Sequence, residues 1–212
     1  MSKSKRVKAI SLLAASSLSL LTANPLKADE EYPTGMYGSI SFGAGEVSSF
    51  DDPNGAELEF DFGLAYEVGL GYDFGKNFRT EVSYIGLSSG FGGTPLGVDD
   101  GDFEMKTFMF TGYLDFPIEN TKWEPFVGLG VGSMEIDAED ACAVAANTDC
   151  TVSTFTYALS GGVNYAISSS TSITAKITYL KPQDFDITNA GLDVEGIEAS
   201  TLSAYAGLKF NF

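Results

Sequence analysis

Residues able to do chemistry are few in this chain, and the first observation is which of them are missing. None of the 212 residues is a histidine, which removes the usual general base and the commonest metal ligand together. Two cysteines, Cys142 and Cys150, lie eight positions apart. Two sulfurs without histidine make a poor zinc site, whereas in an exported chain, where thiols tend to be oxidised, the pair is expected to close a small loop as a disulfide. The run "GLGVGS" (Gly128, Gly130, Gly132) has the look of a dinucleotide loop. Its third spacing is wrong and no helical pattern follows, so these glycines are read as the crowded side of a strand. In "FDDPNGAELEFD", with Gly55 at the sixth position, Asp52 and Asn54 fall where calcium ligands belong, but Phe50 holds the first ligand position. An EF-hand loop is therefore rejected. What remains is a set of charges, Glu67, Asp73, Arg79, Glu81, Lys176 and Lys209, whose meaning depends on the elements that carry them.

Those elements are strands. In "LEFDFGLAYEVGLGYDF" every second residue from Leu58 to Phe74 is apolar or aromatic, and the intervening positions are Glu, Asp, Gly and Ala. This period of two marks a strand with two different faces. The same pattern gives eight candidates, at 35 to 46, 58 to 74, 78 to 88, 104 to 116, 123 to 134, 153 to 167, 171 to 180 and 199 to 212. Connections alternate between short ("GKN", "PIENTK", "SSS") and long, Asp/Gly/Ser/Asn-rich segments near 45 to 57, 89 to 103, 135 to 152 and 181 to 198. Short turns thus share one end of the sheet and long loops the other.

The head of the chain is different. Lys3, Lys5, Arg6 and Lys8 precede the apolar run "AISLLAASSLSLLTA", and "LKA" ends at Ala28. Residues 1–28 read as a secretory signal peptide and 29–212 as one domain. The whole chain has a net charge of −17; without the five basic residues of the leader, the 29 acids face seven bases, a net −22. Such acidity speaks against a nucleic-acid partner. No later stretch has 18 consecutive apolar residues, so any membrane crossing is made by strands.

Volume decides which face is outside. An eight-stranded barrel has an interior just wide enough for side chains. Phe60, Phe62, Tyr66, Tyr72, Phe74, Phe108, Phe110, Phe155, Tyr157 and Tyr165 would overfill it, whereas Ser39, Ser41, Gly69, Gly71, Gly128, Gly130, Gly132, Ser160 and Gly162 fit. The aromatic face is therefore the outer one, and its solvent is lipid. Glu67, Arg79, Lys176 and Lys209 avoid that parity; Lys106 shares it with Phe108 and Phe110 and is placed above the hydrocarbon, near the long-loop end. Because unpaired backbone in lipid costs several kcal/mol per group, the last strand must pair with the first. Phe212 then falls at the short-turn rim with Phe74, Phe78, Phe116 and Trp123, an aromatic girdle.

The motifs "GMYGSISFGAG", "NFRTEVSYIGL", "WEPFVGLGVGS" and "YAGLKFNF", in this order and spacing, are similar to those of the small outer-membrane β-barrel proteins, the group of the opacity-type porins and the OmpA and OmpX barrels. The resemblance covers the chain after its leader. It implies an all-β, eight-stranded antiparallel up-and-down transmembrane barrel with short periplasmic turns and long extracellular loops. It also implies that Phe212, with Phe210 and Leu208, is a signal read by the barrel assembly machinery; with no peptidoglycan-binding domain expected after the barrel, the cell-wall anchoring of full-length OmpA relatives is not implied. Small outer-membrane enzymes of comparable size depend on histidine, so no catalytic role and no cofactor are expected.

Within that frame, the "GKN" turn sets Asp73 opposite Arg79, with Glu81 and Glu67 further along the same inward face. Two readings follow: a hydrogen-bonded ion network that plugs the lumen, or a narrow charge-lined conduit. The acidic loop residues Asp51, Asp52, Asp99, Asp100, Asp102, Glu135, Asp137, Glu139 and Asp140 form either a solvated face or a diffuse divalent-cation site. The expected function is a porin-like or structural envelope protein, acting as a monomer among outer-membrane lipids. The alternative is a surface adhesin or cation binder working through its loops, and a soluble lipocalin-like carrier comes third.

Overall fold

The computed structural model describes residues 34–47, 62–75, 77–91, 101–138, 150–183, 185–189, 192–197 and 200–212. Its strands are β1 (Gly35–Val47), β2 (Gly63–Asp73), β3 (Phe78–Phe91), β4 (Gly101–Asp115), β5 (Trp123–Ala138), β6 (Cys150–Ala166), β7 (Thr171–Pro182), β8 (Phe185–Asn189), β9 (Leu192–Ile197) and β10 (Thr201–Asn211). Eight of them close into an antiparallel barrel in the order β1-β10-β7-β6-β5-β4-β3-β2. The expected eight segments are all present, and the all-β transmembrane architecture stands. Two details differ. β2 begins at Gly63, with 58–61 outside the described residues. The stretch read as a long loop at 181–198 holds a separate two-stranded sheet, β8 with β9, whose short runs are masked in the sequence by Asp, Asn and Gly.

Closure follows the physical requirement that no edge face lipid. β1 and β10 pair from Tyr37↔Asn211 to Val47↔Thr201, and the Phe212 amide donates to the Met36 carbonyl at 3.0 Å. Following the register once round from Tyr37 leads through Gly71, Glu81, Thr111, Gly130, Ala158, Leu180 and Thr201 to Val47. The path returns ten residues further along β1. Ten steps of about 3.3 Å against eight spacings of about 4.8 Å tilt the strands by roughly 40°. The β2–β3 hairpin turns on Gly75 (φ 68°) and Asn77 (φ 66°), residues that tolerate the left-handed region.

The outer wall is aromatic and aliphatic, as the volume argument requires: Phe62, Tyr72, Phe74, Phe108, Phe110, Phe155 and Tyr157 are exposed. At the short-turn rim Phe74 lies between Tyr72 (centroids 4.8 Å apart) and Phe78 (5.6 Å), and Trp123 sits 4.7 Å from Tyr165. Phe116, Phe210 and Phe212 are exposed at the same end.

The inner wall departs from expectation, because it is not lined by small residues alone. Tyr37, Tyr113, Phe126 and Tyr205 are buried inside the barrel. Inward glycines make room for three of them: a Cβ on Gly71 would collide with the Tyr37 ring, one on Gly128 would come within 2.5 Å of Tyr113, and one on Gly162 within 2.6 Å of Phe126. Each glycine is the floor on which a lumen aromatic lies.

This packing predicts that Gly128→Ala lowers stability by about 1 to 3 kcal/mol, the usual cost of overpacking. Gly161→Ala, where the nearest atom lies 4.0 Å from the new methyl group, is expected to be neutral. Urea unfolding in detergent micelles, followed by tryptophan fluorescence, compares the two directly.

Candidate functional site

The lumen holds the charges, and strand parity puts them there. Glu67 on β2, Arg79 and Glu81 on β3, Asp115 on β4, Glu124 on β5, Lys176 on β7 and Lys209 on β10 are all buried. Four acids and three bases thus share the interior. They cluster toward the short turns, since Arg79 is the second residue of β3, Asp115 the last of β4 and Glu124 the second of β5.

Arg79 is the centre of the cluster. Its Nε donates to both Asp115 carboxylate oxygens at 3.0 Å, and an Nη donates to the Tyr37 hydroxyl at 3.1 Å. The guanidinium lies 4.0 Å from the Tyr113 ring centroid and 4.8 Å from that of Phe126, a planar cation stacked on aromatic faces. Asp73 is opposite Arg79 in the register, as expected, but the ion pair is made with Asp115 instead. The reason is local. Asp73 ends β2, and its carboxylate accepts the Gly75 amide of the turn at 2.8 Å, while the long arginine side chain reaches over to β4.

Two further pairs cross the lumen. Lys176 on β7 bonds Glu67 on β2, with β1 and β10 between them. Lys209 on β10 lies 3.8 Å from Glu124 on β5, with β6 and β7 between them. Asn164 ties Glu124 down with a 3.1 Å donation and accepts from Thr174 at 2.8 Å. Among the described residues no lysine or arginine is bonded to Glu81; it accepts from Ser39 at 3.1 Å and from Tyr113 at 3.5 Å. Between these groups the polar layer leaves a cavity of about 20 Å³, bounded by Ser39, Ser41, Glu81, Lys176 and Lys209 among others. That is space for about one water.

Above the ion pairs, toward the long loops, the lumen turns mainly apolar, with the buried hydroxyls of Thr107, Thr156 and Thr201 set among the apolar side chains. Ile85, Leu87, Met105, Met109, Met134, Ile136 and Leu180 form one buried cluster. Parity alone places Met105 and Met109 inward, but an apolar residue on the inner face ran against the equation of apolar with outside. Asp115 and Glu124 also belong to the inward parity, Asp115 with Thr111 and Tyr113 and Glu124 with Gly128, Gly130 and Gly132, and that parity was the signal that could have found them.

Other expected sites sit apart from this cluster. Phe74, Phe78, Phe116 and Trp123 form the rim described above, and Leu208 and Phe210 lie on the outward parity of β10 leading to Phe212. Lys106 is on the outer wall, in an ion pair with Glu104. The signal peptide, Cys142 and most of the acidic loop residues lie outside the described residues, and with Cys142 so does the disulfide.

The outer membrane protein β-barrel domain model matches residues 10–210 of the chain. No curated protein matches it significantly. Among solved structures it is similar to Neisserial surface protein A (NspA), with 14% identity, 84% of this chain and 98% of that chain covered and a TM-score of 0.62. OprG from Pseudomonas aeruginosa is similar at 13% identity, with 86% and 98% covered and a TM-score of 0.63. At such identities the likeness is one of fold.

Removing one member of a buried pair leaves an uncompensated charge and costs about 3 to 5 kcal/mol. Asp115→Asn is therefore expected to destabilise the barrel by that order, whereas Asp73→Asn, which keeps an acceptor for Gly75, is expected to cost about 1 kcal/mol or less. Equal losses in denaturant unfolding would return Arg79 to Asp73.

Proposed function

This chain belongs to the outer membrane protein β-barrel domain family, and we propose from that premise that it is a structural barrel of the bacterial outer membrane whose lumen is closed to solutes. The observation that carries the reading is the double filling of the interior. A layer of seven charges, two pairs of which are tied across the barrel, lies beneath a mainly apolar layer of methionine, leucine and isoleucine. A hydrated ion would have to break the first and wet the second.

The reading gives the protein no chemical step, in keeping with a chain that has no histidine. It moves function to the two ends. At the periplasmic end, Phe212, Phe210 and Leu208 present the outward alternation that serves as a signal to the assembly machinery. At the outer end, β4, β5 and β6 run to 15, 16 and 17 residues, against 11 in β2 and β10. One side of the barrel therefore carries its loops on a taller wall, which favours a second reading in which the acidic loops contact a surface partner or divalent cations.

A planar-bilayer recording of the refolded protein, shown to be closed by its heat-dependent gel shift, tests the first reading. The barrel is expected to be silent, and to stay silent in Lys176→Met, because the apolar layer remains. Reproducible openings whose ion selectivity changes in Glu67→Gln or Glu81→Gln would replace the closed barrel with a narrow conduit.

A further inference from the structure

One group of outward charges spans three neighbouring strands. The described outward side chains of β3, β4 and β5 are uncharged except for Glu104, Lys106 and Glu135. Lys106 is paired with Glu104 at 3.2 Å and stands directly opposite Glu135 in the register. On its other side it stands opposite Gly86, which in turn faces Tyr66. Gly86 has no side chain, and the Tyr66 ring lies over it, the hydroxyl 2.6 Å from where a Cβ would be. Tyr84 stands beside Tyr66, with 6.2 Å between ring centroids. The outer wall thus carries an acid–base–acid triad bordered by two aromatic rings.

Its height matters. Ten residues of β4 and its turn separate Lys106 from Phe116 in the lower girdle. At about 3.3 Å each and a tilt of roughly 40°, they span about 25 Å, the height of an outer-membrane apolar band. The triad therefore lies where the hydrocarbon ends and the headgroups begin.

A single lysine at that level would favour any lipid phosphate. Two carboxylates beside it reverse the balance, since their net −1 repels a headgroup that carries phosphate alone. Charge complementarity is restored by a headgroup with an anion and a hydrogen-bonding cation a few atoms apart. We propose that the outer wall of β3–β5 binds a lipid-borne phosphoethanolamine headgroup, with the phosphate on Lys106 and the primary ammonium on Glu104 and Glu135. Phosphocholine has a cation but no N–H to donate, and phosphoglycerol has no cation. The site is thus selective by donor chemistry as well as by charge. It rests only on the barrel's place in the membrane, and holds whether or not the lumen conducts.

The test uses the full mature chain folded in phosphatidylcholine vesicles that contain equal minor fractions of dioleoyl phosphatidylethanolamine and dioleoyl phosphatidylglycerol. After mild detergent extraction, the retained lipids are quantified by mass spectrometry, and the gel shift verifies folding of every variant. Phosphatidylethanolamine is expected to be retained over both other lipids by roughly two- to fivefold, the size an exposed ion pair supplies. The preference should survive in Lys106→Arg and disappear in the double variant Glu104→Gln, Glu135→Gln, which should instead gain phosphatidylglycerol. Equal retention of the three lipids by the wild-type protein, or a preference that persists in the double variant, would overturn the proposal.

Discussion

Everything in this molecule depends on the absence of a hydrogen-bonding solvent around its waist. A peptide group in hydrocarbon has to find its partner in the protein, so the sheet has no edges and β1 meets β10 along its whole length. Once the ends are joined, the register is no longer free. A return ten residues further on determines the tilt, and the tilt determines how wide the lumen is. A slip of one residue would turn every inward side chain into lipid, so the position of each buried charge is a consequence of closure.

The width explains the filling. Small residues alone would leave holes, and a hole in a close-packed interior loses contacts on all its sides. Large rings reach inward at Tyr37, Tyr113, Phe126 and Tyr205, and glycines on facing strands take the volume back. The rings in turn give Arg79 a desolvated seat. A guanidinium buried this deeply is costly unless its donors are used and its faces are stacked, and Asp115, Tyr37 and Tyr113 meet both needs. Lys176 and Lys209 work differently: each reaches a carboxylate three strands away, so each pair braces the barrel across its bore.

Most of this fold is legible in the sequence because a barrel has only one variable per strand, its parity. The alternation from Gly63 to Phe74 declares both faces at once, and short turns such as "GKN" pin adjacent strands. What parity cannot supply is the direction of a long side chain. Asp73 and Arg79 do stand opposite each other, yet cross-strand opposition places Cα atoms, and the guanidinium went to Asp115 because the Gly75 amide had already engaged Asp73. Nor does composition reveal the upper lumen, since Met105 and Leu87 inside are of the same chemical kind as Leu64 and Leu129 outside. The short β8 and β9 escaped for a third reason: five or six residues rich in Asp and Asn give too little alternation to stand above a loop.

The same constraint sorts the charges by purpose. Inside, a charge is held by a fixed partner, and nothing from solvent competes for it; such pairs brace the wall and define one packing, but they offer little to a ligand. Outside, at the level of Lys106, the ion pair with Glu104 is about half exposed, where the Coulomb gain is small and a headgroup can exchange with a carboxylate at little cost. A lysine there could have been left single, as snorkelling residues near membrane interfaces often are. Two acids beside it, with Tyr66 and Tyr84 on its other side, cost favourable contact with every anionic lipid. That cost falls on one wall, the one formed by the tall strands β4 and β5 and their neighbour β3.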